Sequence, residues 1–180
     1  MPDWHAYPKG RTNVRPNESP GKRSIPLIAV EERLAQAGLA LPRPNKPGKI
    51  DLVKICGETI YVSGHGPTDD CGRPLYRGRV GRDLTLAEAK EAAKLVALNC
   101  LASLKETLGT LDRVQEIIKV LGFVNSDDNF HDQPEVMHGF TDVMLAAFGE
   151  AGRHTRSAIG TSNLPNNIPV EVEMIARLRS

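Results

Sequence analysis

Apolar residues recur along this chain at two different spacings, and each spacing predicts its own kind of element. From Thr85 to Leu108 they recur every three or four residues, which predicts a long amphipathic helix. Glu88 follows Thr85 by three residues, so the pair predicts a capping box at the helix start. The same spacing predicts a second long helix over residues 134–148, and a glycine stop ends a shorter one over 29–38.

Segments rich in β-branched residues lie between and after these helices. Residues 51–56 and 59–63 predict a hairpin, and residues 114–124 predict the strongest strand. Two more strands follow the second long helix and are joined by a turn rich in proline and asparagine. The order β-β-α-β-α-β-β predicts an α+β fold, with a mostly antiparallel sheet and two helices on one face.

Composition narrows the class of protein. The chain has 180 residues, with 23 Lys+Arg against 22 Asp+Glu, and this balance argues against a nucleic-acid-binding module. Charged or polar residues interrupt every window long enough to cross a membrane, and the N-terminus lacks a secretory pattern. Three cysteines without CxxC spacing indicate reduced thiols, so we expect a cytoplasmic protein.

The N-terminal region differs from the rest in composition. Residues 1–28 are rich in proline, glycine, asparagine and basic side chains and lack apolar periodicity. They therefore predict an extended or disordered arm. Residues 29–180 are expected to form a single domain.

The last quarter of the chain carries the candidate chemistry. Arg156 lies in one of the two final strands, and Glu171 and Glu173 lie in the other. Arginine offers a planar fork of donors that matches a carboxylate, and a glutamate can hold and orient a water molecule. Two plainer interpretations stay open, namely an arginine paired to an acidic neighbour and glutamates that are simply solvated.

Several short motifs occur in an order and spacing that resemble the Rid family of reactive-intermediate deaminases, also called the YjgF or endoribonuclease L-PSP family. The resemblance covers about residues 31 to 178. It is carried by Ser63-Gly64 with Pro67, Asn125-Ser126, Arg156-Ser157-Ala158, Leu164-Pro165 and the Val-Glu-Val-Glu strand at 170–173.

The resemblance implies a chorismate-mutase-like α+β fold and a homotrimer in which the sheets form a central barrel. It places three clefts between subunits. It further implies hydrolysis of small 2-enamine and 2-imine carboxylic acids to 2-keto acids and ammonia, without a metal or an organic cofactor.

The resemblance also assigns roles to individual residues. Arg156 matches the carboxylate-binding arginine and Glu171 the glutamate that positions water, so these two are the catalytic candidates. His65 and His138 stand where the family has uncharged or amide residues, and histidine could add acid–base capacity. Many family members have a tyrosine at or near the position of Ile50. These differences suggest a reshaped pocket. The expected substrate-binding residues are Ser63, His65, Phe123, His138, Ala158 and Pro165.

Other functions remain compatible with the same cleft. A non-catalytic sensor of small carboxylates would keep the arginine and dispense with the glutamate. A pathway-specific deaminase would act on a larger, aminomuconate-like enamine acid. A ribonuclease is disfavoured because the net charge is near zero and aromatic residues are few.

Overall fold

The computed structural model describes residues 29–46 and 48–179. The predicted arm, residues 1–28, lies outside the described residues, as does Pro47. The helices are α1 (Val30–Gln36), α2 (Leu86–Leu108) and α3 (Gln133–Phe148). The strands are β1 (Val53–Cys56), β2 (Thr59–His65), β3 (Val114–Asn125), β4 (Thr155–Thr161) and β5 (Val170–Leu178).

The five strands form one sheet in the order β1-β2-β5-β3-β4. All neighbouring strands are antiparallel except β3 and β4, which run parallel because α3 carries the chain back between them. The order of elements and the mostly antiparallel sheet confirm the predicted α+β architecture. Among the described strands, β4 and β1 are the two edge strands, and each pairs with one other strand.

The core lies between the sheet and helices α2 and α3. Alternate residues of β5 point toward the helices and are buried: Val170, Val172, Met174 and Ala176. The two helices approach closely at Gly139, where an added Cβ would overlap the carbonyl oxygen of Lys90. The predicted capping box at Thr85 is present, with Glu88 as its second member.

The opposite face of the sheet, which we call the open face, remains accessible in the single chain. Tyr61 and Ile159 are 48% and 47% exposed there, and Leu121 and Phe123 are half-buried. An accessible face with apolar side chains is typical of a surface that another chain covers. None of the helices in the described part of the chain has the length and apolarity that crossing a membrane requires.

Candidate functional site

Arg156 projects from edge strand β4 toward helix α3. It pairs in register with Val120 of β3, whose side chain is buried under the helices. Its Nη1 donates to Thr141 Oγ1 at 2.8 Å, and its Nη2 donates to the carbonyl oxygen of Pro134 at 3.1 Å. No carboxylate of the described residues forms an ion pair with it. The guanidinium is therefore held in place through neutral acceptors.

The charge of Arg156 is largely unneutralised. Burial lowers the pKa of the Arg156 guanidinium, and the more distant carboxylates of Glu135 and Asp142 act in the opposite direction. Arginine nevertheless stays protonated in proteins. A half-buried guanidinium without a carboxylate partner among the described residues has the charge and the donors to bind an anion.

Two residues that sequence reasoning missed support Arg156. Thr141 Oγ1 lies 3.2 Å from His154 Nε2, and His154 Nδ1 lies 2.7 Å from the carbonyl oxygen of Gly152. Both could have been found from periodicity. Thr141 follows Pro134 by seven residues on the same helix face, and His154 precedes Arg156 by two residues, which is the period of a strand.

Glu171 lies on the open face of the sheet. In register it pairs with Phe123 of β3, and its carboxylate lies against Gly64 of β2. Burial and, to a lesser degree, the like charge of Glu173 raise the pKa of the Glu171 carboxyl above its usual value. Among the described residues, no hydrogen bond or ion pair reaches its oxygens.

Arg156 and Glu171 lie on opposite faces of the sheet, with β3 between their strands. Arg156 shares the side of Val120, whereas Glu171 shares the side of Phe123. Two strand spacings separate them laterally, about 10 Å, and the sheet itself separates them in depth. A small ligand cannot contact both side chains within one chain.

Comparisons with known proteins identify the family. The family model described as "YjgF/chorismate_mutase-like, putative endoribonuclease" matches residues 31–178. The chain belongs to the YjgF family. This confirms the resemblance to the Rid family and the chorismate-mutase-like fold.

The relatives of this YjgF-family chain have names that point to different functions or to none. "Protein TCP17" of Trypanosoma cruzi is 36% identical over 84% of this chain and 95% of its own. "Putative regulator AldR" of Lactococcus lactis is 29% identical over 78% of this chain and 95% of its own. The crystal structure of a "putative endoribonuclease" from Shewanella oneidensis MR-1 is 34% identical, has a TM-score of 0.80 and matches 84% of this chain and 100% of that one.

Two of the predicted binding residues lie on the Arg156 side of this YjgF-family chain. Ala158 is two residues beyond Arg156 on β4 and therefore shares its face. His138 lies between Pro134 and Thr141 on the same face of α3 and is exposed, with Nδ1 3.3 Å from a Glu135 oxygen.

Three further predicted residues lie elsewhere. Phe123 is beside Glu171 on the open face. Ser63 of β2 lines the open face beside Glu173, and its hydroxyl donates to the carbonyl oxygen of Asp51 at 2.7 Å. Pro165 begins a short 3-10 turn between β4 and β5 and is exposed.

His65 is a core residue in this structure. It is 4% exposed, and its Nδ1 lies 2.6 Å from the carbonyl oxygen of Ser63, so Nδ1 carries the proton. Its Nε2 accepts from the Ser103 hydroxyl at 2.8 Å. Burial lowers the pKa of the imidazole, which keeps it neutral. Since both nitrogens are occupied inside the chain, we do not place His65 among the groups that contact substrate.

Proposed function

We propose that the protein is a hydrolytic deaminase of small 2-enamine and 2-imine carboxylic acids, with sites shared between the chains of a homotrimer. The observation that carries this proposal is the Arg156 guanidinium, which is anchored to α3 without a carboxylate partner. The family supports the same assignment, since the chain matches the YjgF family over residues 31–178 and carries the motifs that resemble Rid proteins. Each part of the site has a separate physical argument.

Arg156 would bind the substrate carboxylate. Arginine has five N–H donors, and two of them are engaged by Thr141 and Pro134. The remaining donors are available to a planar anion, and a two-point contact fixes the orientation of the carboxylate as well as its position. That contact would place the adjacent carbon of the substrate, where the reaction occurs, at a defined point beside β4.

A second chain would supply Glu171. Because Arg156 and Glu171 lie on opposite faces of one sheet, they can meet around one ligand only if they come from different protomers. Within the described residues, the outer edge of β4 has a row of backbone groups without a strand partner, and the open face exposes apolar side chains. If the β4 edge of one chain packed against the open face of another, the contact would cover the unpaired backbone groups and the apolar side chains together. Three such contacts would close a ring.

Glu171 would act as the general base. Burial and, to a lesser degree, Glu173 raise its pKa, which makes the carboxylate a stronger base than that of an ordinary glutamate. Its oxygens have no hydrogen-bond partner among the described residues, so they are free to accept from a water molecule. The apolar side chain of Phe123, its register partner on β3, would limit access of bulk solvent.

The reaction requires little from the protein beyond orientation and proton transfer. The enamine tautomerises to an imine, and water then adds to the imine carbon while Glu171 takes one of its protons. The resulting carbinolamine loses its C–N bond, and the nitrogen leaves as ammonia after protonation. The products are a 2-keto acid and ammonia, so one water is consumed per substrate.

Ala158 and His138 would complete the pocket around the carboxylate. A backbone N–H of β4 near Ala158 would donate to the substrate nitrogen or carboxylate, since half of the N–H groups of an edge strand point away from the sheet. His138 would contact the ligand beyond the guanidinium, on the exposed side of α3. Neither role needs a metal ion.

The proposal is tested by measuring 2-keto acid release from 2-aminoacrylate, generated in the assay from serine by a dehydratase. The wild-type rate should exceed the uncatalysed rate, and Arg156→Ala should return it to the uncatalysed level. Arg153→Ala removes an exposed arginine three residues away whose ion-pair partner in the described part of the chain is Glu150, and it should leave the rate unchanged. A wild-type protein without any rate above background would overturn the proposal.

A carboxylate sensor is the second candidate function, because the regulator name of the Lactococcus lactis relative favours it. A sensor would bind small keto acids through Arg156 without turnover. Calorimetry with pyruvate, run beside the deaminase assay, separates the two functions. Binding that requires Arg156 but produces no turnover would favour the sensor.

A further inference from the structure

We infer that Thr141 and His154 are positioning residues that set the direction of the Arg156 guanidinium. This inference rests on the proposed function, since it concerns how the carboxylate-binding group is held. Thr141 touches both other residues, at 2.8 Å from Arg156 Nη1 and 3.2 Å from His154 Nε2. The three side chains therefore form a continuous row from α3 to β4.

The direction of each hydrogen bond follows from the tautomer of His154. The carbonyl oxygen of Gly152 can only accept, so the His154 Nδ1 that lies 2.7 Å from it must carry the proton. In the neutral ring Nε2 then has a free lone pair. Burial lowers the pKa of His154 against the opposing effect of the Gly152 hydrogen bond, and the positive charge of Arg156 adds to the lowering, so the neutral ring is favoured.

The tautomer fixes the orientation of the Thr141 hydroxyl. Since Nε2 accepts, the Thr141 O–H points at His154. The oxygen lone pairs consequently face Arg156 and accept from Nη1. Without His154 the hydroxyl would be free to rotate, and its hydrogen could then point at the Arg156 N–H in place of an accepting lone pair.

The row is itself rigid at both ends. The His154 ring packs edge-on against Phe140, with centroids 6.3 Å apart and an interplanar angle of 85°. Phe140 is fully buried in the core. At the other end Nη2 donates to the Pro134 carbonyl oxygen at 3.1 Å. Two nitrogens of the guanidinium are therefore hydrogen-bonded to one helix, α3. Such anchoring selects one side-chain orientation before a ligand arrives.

The test separates positioning from folding by comparing KM with kcat. Thr141→Val removes the hydroxyl while keeping the shape, and we expect KM to rise about tenfold or more while kcat falls only a few-fold. Thr141→Ser restores the hydroxyl and should restore KM. Thr107→Val is the matched control, because Thr107 donates to Ser103 on α2, away from Arg156.

His154→Phe gives a second, independent measurement. It keeps the ring against Phe140 but removes the Nε2 acceptor, and it should raise KM less than Thr141→Val does. An unchanged KM in both folded variants, while Arg156→Ala still abolishes turnover, would overturn the positioning role alone. Unchanged turnover in Arg156→Ala would instead overturn the proposed function.

Discussion

The carboxylate of Glu171 occupies the space into which a Cβ at Gly64 would project, so any side chain at position 64 requires the carboxylate to move. The backbone of Gly64 does not have a positive φ, and the requirement for glycine at this position is therefore one of space. Substituting this glycine is a way to move the glutamate without changing it.

Gly64→Ala should displace the Glu171 carboxylate and lower kcat by at least tenfold, because the base moves away from its water. KM should change little, since Arg156 is untouched. Stability should also change little, because the far end of the Glu171 side chain can shift. Gly48→Ala, which meets no atom within 4 Å, is the matched control. Wild-type kcat in Gly64→Ala would show that the position of Glu171 is unimportant.

The pH dependence of kcat should report the raised pKa of Glu171. A general base must be deprotonated, so activity falls as pH decreases through its pKa, and the raised value places this fall above the usual glutamate range. Glu173→Gln removes the neighbouring like charge and should move the fall to lower pH. Glu171→Gln should lower kcat about 10²–10⁴-fold at pH values above this fall, and the difference from wild type should shrink below it. A pH profile unaffected by Glu173→Gln would contradict the coupling of these two carboxyls.

Arg156→Lys should abolish activity almost as completely as Arg156→Ala. A lysine keeps the charge but loses the fork, and it cannot reach the Thr141 hydroxyl and the Pro134 carbonyl while binding an anion in two places. Steady-state kinetics and circular dichroism on the same preparations separate lost function from lost fold. A lysine variant with near wild-type kcat/KM would show that charge alone is sufficient.

Gly139→Ala should destabilise the fold by roughly 1–3 kcal/mol. Its added Cβ would overlap the Lys90 carbonyl oxygen, and helices α2 and α3 would have to separate because the obstructing atom is backbone. Chemical denaturation measures this loss of unfolding free energy, with Gly48→Ala as the neutral comparison. Equal unfolding midpoints would contradict the close helix packing.

The element order followed from periodicity because apolar residues alone determine which face of each element is buried. The spacing from Thr85 to Leu108 located α2, and the apolar run from Val114 located β3. Strand ends were less well determined. β1 begins at Val53, two residues later than predicted, and β2 continues to His65 across an irregularity in its pairing with β5.

The candidate site was predictable only in part. Arg156 and Glu171 were found from residue type and motif. Local sequence does not predict which face of the sheet each side chain occupies, because the strands do not pair in sequence order. The burial of His65 was missed for the same reason. Its partner Ser103 is 38 residues away on α2, and only the packing of that helix on the sheet brings the two together.

The proposed catalytic site takes Arg156 from one chain and Glu171 from another. Co-expression of Arg156→Ala and Glu171→Gln chains, purified together through two different tags, tests this arrangement. Each variant alone should be inactive, whereas mixed assemblies should regain roughly a third of the wild-type activity, since in a ring of three that contains both variants one of the three interfaces has an intact arginine facing an intact glutamate. Mixed assemblies that stay as inactive as their parents would contradict the claim.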